Sequence, residues 1–134
     1  MSSTPLAQAV QSTFAPGGPL AQAAEGFVAR DGQTQLAQAV ARTIGQGGVL
    51  VAEAATGVGK TFAYLVPALL SGERVLVSTA TKTLQDQLFG RDLPRLARAL
   101  GVPARMALLS GRCSYLCLHW VEFVCVRRDL RMNG

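Results

Sequence analysis

The run Val49-Leu50-Val51-Ala52 leads through Glu53 into Ala54-Ala55-Thr56-Gly57-Val58-Gly59-Lys60-Thr61 and on into an apolar segment reaching Leu70. No other stretch restricts the fold as tightly. Four apolar residues suit a buried strand, and the segment from Lys60 has helical spacing. Strand, loop and helix in that order make an anion-binding turn, because backbone N–H groups point at a phosphate and the helix N-terminus adds positive potential. Gly57 and Gly59 permit the turn. Lys60 is then placed to reach the β and γ phosphates of ATP, and the Thr61 hydroxyl to ligate Mg2+. The general pattern GxxxxGK[ST] begins with glycine, whereas this chain has Ala54 there. The loop alone does not select among kinases, GTPases and motors, which share it.

Around this loop the chain reads as alternating strands and helices. Leu36, Ala37, Val40, Ala41 and Ile44 fall at helical spacing from Gln33, and Gly45 with Gly47-Gly48 ends the pattern. Arg74 to Ser78 repeats the buried-strand signature, and Leu84, Leu88 and Phe89 mark a helix from Thr81 to Phe89. A further helix from Asp92 to Leu100 stops at Gly101, with Pro103 just beyond. Arg105 to Leu109 supplies a third strand, followed by a turn at Ser110-Gly111 and a helix through Trp120. The expectation is an α/β fold: part of a RecA-like P-loop domain, a parallel sheet with flanking helices. Three regions follow. Residues 1–25, rich in Ala, Gln, Ser, Pro and Gly and interrupted by Pro16-Gly17-Gly18-Pro19, read as a flexible lead-in. Residues 26–122 read as the first part of the nucleotide-binding domain, and residues 123–134 as a tail without apolar period.

At 134 residues the chain supports one hydrophobic core, where an ATP-driven motor normally needs two facing each other. The net charge of +5 is compatible with a polyanionic partner and equally with an arginine- and alanine-rich composition. No apolar run approaches the roughly 20 residues needed to cross a bilayer, and the N-terminus lacks the pattern of a signal peptide, so a cytoplasmic location and no membrane partner are expected. Cys113, Cys117 and Cys125 are an odd number and do not resemble a secreted disulfide framework; they are core thiols or part of a metal site. With His119 they would make a zinc set by composition, but Cys117 and His119, two apart on a helix, diverge.

Glu53 to Thr61 resembles the EAGTGTGKT loop of the DinG/YoaA branch of the XPD-like iron–sulfur helicases of superfamily 2, in which alanine at the first loop position is usual. Ala55 replaces that family's glycine. The resemblance runs from about Phe14 to about Glu122. It implies a nucleotide site built from Arg30, Gln33, Ala54, Ala55, Thr56, Gly57, Val58, Gly59, Lys60 and Thr61, with Lys60 and Thr61 as the catalytic residues. Arg30 to Leu36 is similar to the family's RxxQxxM segment, whose glutamine, here Gln33, reads the adenine edge; an amide offers the donor and acceptor that N6 and N7 of adenine require. Ser78 to Leu88 is similar to the family's motif Ia, which implies that Thr79, Thr81, Lys82 and Gln85 grip single-stranded or forked DNA, although Thr79 and Thr81 are also ordinary helix-capping types. Gly111-Arg112-Cys113-Ser114-Tyr115-Leu116-Cys117 looks like the family's GRxNYxC, making Cys117 the counterpart of the first of four thiolates on a 4Fe-4S cluster. Three cysteines do not complete that cluster, so it is not expected in this chain.

The activity implied is ATP-dependent 5′ to 3′ DNA unwinding, with this chain supplying the nucleotide loop and part of the DNA grip. No DEAH or similar acidic box follows the loop, and truncation or a frameshift near residue 123 accounts for the tail. The chain alone is therefore expected to be inactive. Two other readings stand beside this one. A non-enzymatic remnant would bind nucleotide weakly, and a small P-loop kinase would need a lid and a second phosphate clamp.

Overall fold

The computed structural model describes residues 4–23, 27–111, 114–115 and 117. Its first helix, α1 (Pro5–Phe14), starts where the Thr4 hydroxyl accepts a hydrogen bond from the Ala7 amide at 3.4 Å and Pro5 pre-sets the first helical φ. Ala7, Val10 and Phe14, spaced by three and four, form its buried face. The helix ends at Ala15, whose extended backbone is what a residue before proline favours. A short α2 (Pro19–Ala23) buries Leu20.

The central pair is α3 (Asp31–Gln46) and α4 (Lys60–Leu70). Asp31 in the first turn of α3 complements the helix dipole, and Gly47 closes the helix with φ 75°. Ala37 and Ala41, fully buried on one face, have side chains small enough to bring α3 close to its neighbours, while α4 contributes Ala63, Leu65 and Val66 to the same core. α1 packs on both helices. A column of rings joins the entry of α3 to this core, with Phe27 lying 6.4 Å from Phe14 and stacked on Phe62 at 6.0 Å between centroids.

After α4 the chain passes through 71–81 to α5 (Lys82–Gln87), a single π-helical turn over 88–92, and α6 (Leu93–Leu100). The backbone stays right-handed helical across both junctions, so the three pieces form one rod. Gly101 ends it in the left-handed region, and the Val102 amide donates to the Ala97 carbonyl at 3.2 Å.

Two expectations are corrected here. The parallel sheet is absent: among the described residues no strand forms, and the segments at 49–52, 74–78 and 105–109 carry no ladder. Val49, Val51 and Leu76 are 91%, 92% and 89% exposed rather than buried. An apolar run marks what a sheet would bury, but a ladder requires a paired neighbour, and the run does not supply one. The α/β reading gives way to a helical one over the described residues. Residues 5–14 and 19–23, read as a flexible lead-in, are helical instead, because a proline at a helix start is favourable and Ala7, Val10, Thr13, Phe14 and Leu20 form a buried stripe among the exposed glutamines. The helix expected through Trp120, the tail at 123–134, Cys113, His119 and Cys125 lie outside the described residues.

Candidate phosphate-binding site

The loop from Glu53 to Gly59 ends where Gly59 caps α4. Gly57 and Gly59 both take positive φ, 83° and 87°, a region in which a side chain is strained. That geometry leaves Lys60 and Thr61 in the first turn of α4, where the helix amides are unpaired. The Lys60 ammonium folds back across the loop and donates to the Ala54 carbonyl at 2.6 Å and the Ala55 carbonyl at 2.9 Å. Lys60 is exposed, Thr61 half-buried, and the Thr61 hydroxyl forms no hydrogen bond among the described residues. Ala55, Thr56 and Gly57 are open to solvent, with Ala54 and Val58 partly covered.

The start of α3 braces this loop from behind. Gln33, only 4% exposed, donates its amide to the Gly59 carbonyl at 3.0 Å, and the Arg30 guanidinium donates to the Gly57 carbonyl. A methyl group built on Gly59 would collide with the Gln33 amide, so glycine there serves both the backbone turn and the contact. Arg30 and Gln33, expected at the nucleotide, are thus brought to the loop, yet their hydrogen bonds run to its backbone. Sequence reading missed this bracing role. The signal available was Gly59, whose missing side chain leaves room for the Gln33 amide.

Thr79, Thr81, Lys82 and Gln85 gather at the start of α5. Thr81 caps the helix by accepting from the Leu84 amide at 3.3 Å, and Thr79 donates to the Thr81 carbonyl at 3.3 Å. Gln85 reaches the Leu109 carbonyl at 2.8 Å, tying α5 to the segment before Ser110. Lys82 is exposed and carries no hydrogen bond or ion pair among the described residues. Ser110 donates its amide to the Tyr115 hydroxyl at 3.0 Å. Cys117 is an exposed free thiol, and no group of three metal-ligating side chains occurs among the described residues. With three cysteines in the whole chain, the donor set does not fit a cluster that takes four thiolates.

Comparison with known proteins adds the following. The family model described as DEAD/DEAH box helicase matches residues 33–112. The ATP-dependent DNA helicase YoaA of Escherichia coli K12 is 52% identical over 109 residues, covering 81% of this chain and 17% of the relative. Its namesake in Haemophilus influenzae is 47% identical over 115 residues, covering 86% of this chain and 18% of the relative. The ATP-dependent helicase DinG of Mycobacterium tuberculosis H37Rv is 48% identical over 111 residues, covering 77% of this chain and 17% of that protein. The chain therefore spans less than a fifth of the length of these relatives. No solved structure matches it.

Proposed function

Because the chain belongs to the DEAD/DEAH box helicase family, we propose that it carries the ATP-binding loop and part of the DNA grip of an ATP-dependent 5′ to 3′ DNA helicase. The observation that carries this reading is the turn made by Gly57 and Gly59, which puts Lys60 and Thr61 in the open first turn of an 11-residue helix. The Lys60 ammonium already sits on two loop carbonyls and exchanges them for the β and γ phosphates, a stronger, charge-assisted pairing. Thr61, unpaired beside it, is the ligand for Mg2+. Backbone amides from Ala55 to Thr61 hold the remaining phosphate oxygens. Arg30 and Gln33 set the shape of the loop, and Gln33 turns its amide toward adenine only by releasing Gly59. Thr79, Thr81, Lys82 and Gln85 contact the backbone of single-stranded or forked DNA, with Lys82 supplying the unpaired charge. Such a partner puts the site of action in the cytoplasm; no helix among the described residues is long and apolar enough to cross a membrane.

A second reading has one observation in its favour. The exposed apolar segments at Val49–Val51 and Val75–Val77 suit a chain that binds nucleotide weakly and depends on a partner to cover them. Titration calorimetry of Mg-ATP against the chain and its Lys60→Ala variant tests the proposal. Saturable binding that the substitution abolishes is expected; affinity unchanged by Lys60→Ala would refute it.

A further inference from the structure

The far end of the rod that begins at Lys82 carries a second concentration of positive charge. Arg91, Arg95 and Arg98 line one open groove with Ala23, Gly90 and Ala99 between them, and no acidic residue among the described ones shares that lining. At about 1.5 Å of rise per residue, the arginines are spaced about 6 and 4.5 Å apart along the axis. All three are exposed.

The groove is organised rather than merely charged. Asp92, 5% exposed, accepts from Arg91 Nε at 2.9 Å and from the Gln87 amide at 3.1 Å, so a buried carboxylate fixes the direction of Arg91 while most of that side chain stays open to solvent. Gly90 and Arg91 face outward on the π-helical turn over 88–92, while Leu88 and Asp92 stay buried. A side chain at Gly90 would meet nothing, leaving that wall of the groove open. Arg95 has no polar partner and Arg98 only the Pro94 carbonyl in its own helix, among the described residues.

We propose that Arg91, Arg95 and Arg98 form a second contact for the phosphate backbone of DNA, on the same rod as Lys82 and about 14 Å beyond it along the axis. Guanidinium forks match phosphate oxygens in pairs, and small residues between them admit the strand closely. The inference rests on the DNA-binding reading above.

Fluorescence anisotropy of the full chain with a labelled oligothymidine, over about 50 to 200 mM salt, tests it. Arg95→Gln/Arg98→Gln is expected to weaken binding about tenfold and to flatten the slope of log affinity against log salt by about 1.4, the value for two single-strand phosphate contacts. Arg95→Lys/Arg98→Lys should keep the slope; a loss shared by the lysine pair would point to misfolding and overturn the assignment. Wild-type binding with the glutamine pair unchanged would overturn the arginine face and leave the DNA reading standing. Failure of the wild type to bind at any salt would overturn both. Arginine-dependent binding of polyglutamate without binding of DNA would give the face to an acidic protein and equally refute the proposal.

Discussion

Gly59 carries three requirements at one position: positive φ, the cap of α4, and room for the Gln33 amide. Replacing it with alanine strains the backbone by about 1–2 kcal/mol and pushes Gln33 off its carbonyl acceptor. Gly59→Ala is therefore expected to lower ATP affinity at least tenfold, by calorimetry, while far-ultraviolet circular dichroism keeps its helical signal. Gln33→Ala removes a single hydrogen bond worth about 1 kcal/mol and should weaken ATP about fivefold; affinity unchanged would mean that the brace does not shape the loop. The sequence marks Lys60, Thr61 and both glycines directly, because only those residue types build such a turn. It does not reveal what Gln33 and Arg30 touch. An amide or a guanidinium satisfies a base edge or a backbone carbonyl equally well, and only the approach of α3 to the loop decides between them.

Helices whose ends carry specific chemistry were legible as elements. Gly47, Gly59 and Gly101 bound α3, α4 and α6 close to where the glycines in the sequence place them. α1 was not legible, because its polar, alanine-rich composition hides a stripe of only four buried residues, Ala7, Val10, Thr13 and Phe14. Its contribution is measurable: Phe14→Ala should cost about 3–5 kcal/mol, read as a lowered midpoint in chemical denaturation, whereas a flexible lead-in would give no change. At the other end of the molecule, Thr81→Ala removes the cap of α5 and should cost about 1 kcal/mol. The π-helical turn has a cause in the sequence that went unread: Pro94 has no N–H to donate to the Gly90 carbonyl four residues back, and its ring crowds that carbonyl. The strand assignments failed for the opposite reason. Apolar runs at 49–52 and 74–78 announce themselves clearly, but pairing is a property of neighbours and not of the run.

Among the described residues, helices α1, α2, α3, α4 and α6 and the π-helical turn share one core, and the segments at 49–52 and 74–78 stay open. Hydrogen exchange should follow that division, with slow amides in α3 and α4 and fast ones at 49–52 and 74–78. Protection of Val49 and Val75 comparable to that of α3 would contradict the arrangement. The loop from Ala54 to Thr61 lies where these two regimes meet, with a packed helix after it and an unpaired segment before it. The braced turn on a packed helix, on which the proposed phosphate site rests, forms in a chain spanning under a fifth of its relatives' length. The most direct measurement is a nuclear magnetic resonance titration of the 15N-labelled chain with Mg-ATP. Amide shifts concentrated at Gly57, Gly59, Lys60 and Thr61 and saturating with ligand are the predicted result; saturating shifts elsewhere that leave those four amides unmoved would contradict it.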